Sequence, residues 1–235
     1  MLPIAAYESD SDSEQEQHKE SSLPALPSFF SPSSAPKDDP AKHQGRFRTT
    51  PHKVNSWATH VYVESPLNEY LDRIIESVTK FSPDIHSLTH DGQAHISLSK
   101  CVFLKEHQLD NFADAVRKAL PDKHSSFIVS FAQLSVLTNE EQTRSFVTAE
   151  IGAGYNELSA LVECIDSVML KFNQPVFYKP PRFHASIAWS LTPLPLEQSL
   201  ETVPADYVDE LVQLTQPVTS LVIKMGNRST KIPFR

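Results

Sequence analysis

Two tripeptides in this sequence carry an imidazole and a hydroxyl two residues apart: His95-Ile96-Ser97 within AHISLSK and His184-Ala185-Ser186 within RFHASIAWS. Each lies in an apolar, β-rich run, where alternate residues share a face, so each histidine is predicted to point the same way as its serine. One H-x-S alone reads as a hydrogen-bonded pair inside a sheet, because buried polar groups find partners. Two of them, about 90 residues apart and at the same place in two similar halves, read as one active site built by duplication.

An imidazole titrates near pH ~6.5, so it serves as base or acid around neutrality. Two of them suit a reaction that takes a proton from one oxygen and gives one to another. Cleavage of RNA is such a reaction: a ribose 2′-hydroxyl loses its proton and attacks phosphorus in line, and the departing 5′-oxygen is protonated on the opposite side. His95 and His184 are the candidate base and acid, with His95 the favoured base. Ser97 and Ser186 are candidates to donate to the non-bridging phosphate oxygens, a term of ~2–4 kcal/mol per donor in comparable sites. No carboxylate adjoins either histidine in sequence, so nothing calls for a metal or other cofactor. With five glycines there is no phosphate-cradling glycine loop.

Secondary candidates cluster around the second motif. Tyr178, six positions before His184 on an approach stiffened by Pro180-Pro181, is predicted to stack on a terminal base. Arg182 is placed to reach a phosphate, and Asn139, Glu140 and Arg144 sit on a hairpin where a terminal nucleotide can be read. His60, His86, His90 and His107 have no duplicated counterpart and read as surface or packing residues.

The elements that must hold these residues follow from periodicity. WATHVYV alternates as a strand, and Leu67, Tyr70, Leu71, Ile74, Ile75, Val78 and Phe81 mark an amphipathic helix for which Ser65-Pro66 is the start signal. AHISLSKCVFL reads as one strand, followed by a helix over about 106–120 that Pro121 ends. SSFIVSFAQLSVLT and TRSFVTAEIGAG pair as a hairpin, a strong helix runs from Tyr155 to Asn173, FHASIAWS is a strand, and a weaker helix covers about 206–214. A closing strand, PVTSLVIKMGN, precedes KIPF. The fold class is α+β: a two-lobed, pseudo-two-fold duplicated domain of antiparallel sheets flanked by helices, over residues 45–235.

Residues 1–44 hold eight Asp/Glu against three Lys and account for −5 of the formal charge of −8. That segment is Ser-, Pro- and acid-rich and is predicted to be a disordered tail. The rest is nearly balanced, which argues against bulk duplex binding but allows a pocket for one end of a single strand. No apolar run approaches the ~20 residues of a membrane span, and the N-terminus does not read as a secretion signal. Cys101 and Cys164 are too few and too far apart for a disulfide scaffold or a zinc site, and a reducing compartment is expected.

WATHVYV, AHISLS, TNEEQTRSF and FY-(x)4-FHASIAW, in that order after an acidic tail, resemble the Usb/Mpn family of U-six small nuclear RNA phosphodiesterases within the two-histidine (2H) phosphoesterases. The resemblance covers roughly residues 45–235. It implies a metal-independent 3′-to-5′ exoribonuclease that trims the oligouridine tail of the spliceosomal RNA, acting as a monomer on a single-stranded 3′ end, in the nucleus. It assigns the two histidines to catalysis, Ser97 and Ser186 to the scissile phosphate, and Tyr178 to the leaving nucleotide, with a 2′,3′-cyclic or 3′-phosphate left behind. Arg182 and Glu140 depart from the family pattern. Other expectations compatible with the motifs are a cyclic phosphodiesterase or ligase-like enzyme on other RNA ends, and a non-catalytic RNA-binding adaptor.

Overall fold

The first strand, β1 (Ser56–Pro66), is the spine of the first lobe, and its alternation explains why. Val61 and Val63 are fully buried, while His60, Tyr62 and Glu64 face the other way. The computed structural model describes residues 55–66, 69–88, 93–121 and 125–234, all within one unit of the chain. The tail expectation over 1–44 and His90 lie outside these residues.

After β1 come α1 (Glu69–Phe81), the two-residue β2 (His86–Ser87), β3 (Gln93–Ser97), β4 (Val102–Lys105) and α2 (Glu106–Ala119). The long hairpin β5 (Phe127–Thr138) and β6 (Ser145–Ile151) leads into α3 (Tyr155–Lys171) and β7 (His184–Ser190). Then α4 (Leu194–Glu201), α5 (Ala205–Gln213), β8 (Thr215–Val218), β9 (Ser220–Met225) and β10 (Arg228–Pro233) complete the domain. The strands run in the order β10-β9-β1-β3-β7-β6-β5-β8, with β2 beside β7 and β4 beside β1, and every registered pair is antiparallel. The lobes therefore share one continuous sheet, joined where β3 meets β7. None of the helices in the described residues is long and apolar enough to cross a membrane.

Local chemistry accounts for most of these boundaries. The apolar stripe of α1 buries Leu71, Ile74, Ile75 and Val78, and Glu69, Asp72 and Lys80 complement the helix dipole at its two ends. Gly154 turns the chain from β6 into α3 at φ 86°, where an added Cβ would lie 2.6 Å from Val129 Cγ1, so only glycine fits without displacement.

Three sequence expectations are corrected. Ser65-Pro66 does not start the helix: both belong to β1, opposite Ala94 and Gln93, and the buried Ser65 hydroxyl donates to Gln216 Oε1 at 2.6 Å. AHISLSKCVFL is two strands, because Leu98 and Ser99 both donate their N–H to Val61 O, at 2.9 and 3.1 Å, and this doubled contact breaks the ladder. PVTSLVIKMGN also divides, since β8 pairs with β5 while β9 pairs with β1 and β10. The short α4 and β2 were not legible, as neither is long enough to show a period.

Candidate active site

β3 and β7 meet at one registered pair, Ile96 opposite Ala185, the central residues of the two H-x-S motifs. Both are fully buried, so the flanking residues of each motif project to the other face. Continuing the antiparallel register sets His95 beside Ser186 and Ser97 beside His184. Two histidines and two serines thus form a diagonal square about a local two-fold, as the duplication predicts. A register shift between Val147 and Thr148 skips Ile187 in the pairing with β6 and puts Thr148 opposite Ser186. This bulge adjoins the motif, where such irregularities re-aim side chains.

The two-fold extends to the neighbouring strands. Glu64 on β1 stands opposite His95, and Glu150 on β6 stands opposite His184. No carboxylate adjoins either histidine in sequence, yet the sheet supplies one to each from the next strand. Each carboxylate is held by a cation: Lys231 Nζ lies 2.6 Å from Glu64 Oε2, and Arg182 is bidentate on Glu150, Nε to Oε2 at 2.8 Å and an Nη to Oε1 at 2.6 Å. Arg182, expected to reach a phosphate, is therefore engaged with Glu150, and this ion pair holds that carboxyl down at about 2.

The histidines differ in their surroundings. His184 Nδ1 is 2.7 Å from the Arg182 carbonyl oxygen, which can only accept, so Nδ1 carries hydrogen and Nε2 is left for a reacting group. Burial lowers the His184 pKa, opposed by that carbonyl and by Glu150. Burial also lowers His95, and there the nearby charges, His184 and Lys224, push the same way. His184 thus has two groups that favour its proton, against burial and the Arg182 charge, whereas every group named for His95 disfavours it.

His60, read from the sequence as a surface or packing residue, does pack, and it packs beside the candidate site. It lies on β1 with its ring 5.3 Å from His95 and 5.4 Å from Tyr62, while the Tyr62 ring is 5.0 Å from His95. Its Nε2 is 3.1 Å from Ser97 Oγ. Burial, His95 and Lys224 together lower its pKa to about 4, so it is neutral at pH 7 and can orient the Ser97 hydroxyl. Its alternation with Tyr62 on the strand was a usable signal, but it lacks a counterpart in the second half. His86 packs on Trp189 at 4.7 Å between ring centroids, and His107 is exposed, both as expected.

Tyr178 is 43% exposed, its backbone neighbour Phe177 fastened by an N–H donated to the buried Asp166 carboxylate at 2.8 Å. Lys100, three residues past Ser97, lies 4.1 Å over the Tyr178 ring and donates to Glu140 at 2.8 Å. The structure thus joins Tyr178 and Glu140 through a lysine that sequence reading passed over. Beside Tyr178 a cavity of about 430 Å³ opens between α3 and residues 176–181. Asn139 holds its own turn, its Oδ1 accepting from Thr143 N and Arg144 N at 2.9 Å, and Arg144 lies 6.0 Å from the Phe146 ring. Among the described residues, no group of three His, Cys, Asp or Glu side chains could hold a metal ion.

A family model described as "HVSL: Uncharacterised conserved protein" matches residues 24–233. U6 snRNA phosphodiesterase 1 of Homo sapiens is 32% identical over 207 residues, covering 85% of this chain and 78% of that protein. The Drosophila melanogaster protein of the same name is 33% identical over 198 residues, covering 81% and 75%. The solved structure of Kluyveromyces marxianus Usb1 with uridine monophosphate superposes with a TM-score of 0.54 at 17% identity, over 77% of this chain and 98% of that one, and so shares the fold.

Proposed function

The chain belongs to the HVSL family and, by its likeness over most of its length, to the U6 snRNA phosphodiesterases, and from that premise we propose that it trims the 3′ end of U6 small nuclear RNA as a 3′-to-5′ exoribonuclease. The observation that carries this reading is the meeting of the two H-x-S motifs at Ile96 and Ala185, a register that supports two imidazoles and two hydroxyls sharing one face of the sheet.

The reaction follows from the asymmetry of the pair. The scissile phosphate sits between the motifs with its non-bridging oxygens accepting from Ser97 and Ser186. Neutral His95 takes the proton of the penultimate 2′-hydroxyl as O2′ bonds to phosphorus. Protonated His184, its Nδ1 anchored on the Arg182 carbonyl, gives its proton from Nε2 to O5′ as the P–O5′ bond breaks. The terminal nucleoside leaves with a 5′-hydroxyl and the RNA keeps a 2′,3′-cyclic phosphate. The same pair run in reverse, with water in place of O5′, breaks P–O2′ and leaves a 3′-phosphate.

Tyr178 stacks on the leaving base, with Lys100 and Glu140 at its edge. The substrate is an oligouridine end bound as a single strand by a monomer, and the setting is the nucleus. No step in this scheme uses a metal.

Mass analysis of a 3′-oligouridine RNA after incubation tests the reading: loss of terminal uridines and a cyclic- or 3′-phosphate end is the expected result. A 2′-deoxy penultimate ribose must block cleavage, because it removes the nucleophile. Cleavage of that substrate would mean water attack, and the scheme would be wrong.

A further inference from the structure

We infer that the flank of the cleft formed by Tyr62 on β1 and Lys224 on β9 is a second nucleotide subsite, which holds the retained strand 5′ of the scissile phosphate. The inference rests on the phosphodiesterase reading for its direction along the RNA, and on four observations for its place.

Tyr62 stands opposite Ser97 in the sheet and its ring lies 5.0 Å from His95. The ribose that carries the attacking 2′-hydroxyl must reach the base, and the Tyr62 ring is the surface it meets there. Lys224 stands opposite His60 across β1 and β9, so it is one strand further out and one step along the same face. Its ammonium is close enough to disfavour the charged forms of both His60 and His95.

Lys224 also differs from the cations around it. Lys231 is paired to Glu64, Arg182 to Glu150 and Lys100 to Glu140, whereas exposed Lys224 pairs with no carboxylate among the described residues. Lys231, whose partner across β9 is Val222 and through it Tyr62, neutralises the Glu64 carboxylate on this flank. An anion approaching Tyr62 therefore meets a free ammonium and no net negative charge.

Direction follows from the mechanism. The leaving nucleotide belongs to His184 and to Tyr178 on the approach to β7. The retained strand belongs to His95 and must depart over the neighbouring strand, which is β1, with its next phosphate toward β9. The subsite accordingly takes a pyrimidine nucleotide on Tyr62 and its 5′-phosphate on Lys224, and length preference arises there.

The test compares cleavage of the dinucleoside phosphate UpU, which has no upstream phosphate, with cleavage of an oligouridine decamer. In Lys224→Ala the ratio of kcat/KM for decamer over UpU falls by about fivefold or more, through KM, and the log–log salt slope of decamer binding falls by about one. Lys224→Arg keeps the ratio. Binding is read by anisotropy on a decamer whose penultimate ribose is 2′-deoxy. An unchanged ratio and an unchanged salt slope in Lys224→Ala overturn the subsite. If the wild-type protein cleaves neither substrate, the phosphodiesterase reading fails instead, and the salt slope of binding still decides for or against Lys224.

Discussion

Ile96 and Ala185 face one another across the join of β3 and β7, as the registered pair between these two strands. Each is the apolar centre of an H-x-S, so pairing them pins four polar side chains to the opposite face. A one-residue slip of either strand would turn its histidine and serine into the core. The buried pair is thus a register lock for the proposed site.

Removal of either imaging half of this square should be costly. His95→Ala and His184→Ala are each expected to lose at least ~100-fold in kcat on an oligouridine substrate, the usual scale for a general acid or base. Wild-type turnover should persist in chelator, because the scheme routes no step through a metal. Full activity in either variant, measured by gel or mass analysis, contradicts the assignment.

The pH profile carries a sign. His95 must be deprotonated and His184 protonated, and burial lowers both below the usual ~6.5, so kcat/KM is expected to form a bell centred below that value. The alkaline limb follows His184, whose pKa Glu150 supports. Glu150→Gln removes that support and frees Arg182 beside the ring, so the alkaline limb should move to lower pH. A limb that moves upward or stays fixed would show that His184 is not the acid.

His60 links catalysis to stability. Its folded pKa of about 4 lies below the unfolded ~6.5, so between these values the unfolded chain binds the extra proton. Stability is therefore lost as pH falls from ~6.5 to ~4, by about 3 kcal/mol from this ring. His60→Gln should flatten the denaturation free energy over that window. On activity, His60→Ala should cost about tenfold in kcat/KM by freeing Ser97 Oγ, with His60→Gln recovering part of it because its amide can donate.

Tyr178 depends on a remote anchor. Tyr178→Ala should raise KM about tenfold, within the ~1–3 kcal/mol of one base–aromatic stack, and Tyr178→Phe should not. Asp166→Ala leaves the buried Phe177 N–H without its acceptor, at a cost of about 1–3 kcal/mol, and should raise KM in the same direction without changing the pH profile. Thermal denaturation and steady-state kinetics on the two variants separate anchor from platform.

Much of this was legible in the chain itself. The H-x-S repeat, the helices α1, α2 and α3 and the β5–β6 hairpin follow from spacing, because a side chain's face and period are local properties of the backbone. The same locality explains the failures. Ser65 was read as a helix start because its partner Gln216 is far away in sequence, and AHISLSKCVFL was read as one strand because the contact that divides it comes from Val61.

What the sequence by itself determined was the inventory of the candidate site: two imidazoles, two hydroxyls and a tyrosine, in a duplicated frame. Only the tertiary structure decided how the two halves differ. His60, Glu64, Lys224 and Glu150 reach the site from strands whose order is β9-β1-β3-β7-β6, an order that no local spacing encodes. Burial lowers both imidazoles; beyond it, His184 and Lys224 push His95 further down, whereas the Arg182 carbonyl and Glu150 favour the proton on His184 against the Arg182 charge. The motif makes the two histidines look alike, and strand order gives them different neighbours, the asymmetry on which the proposed base and acid roles rest.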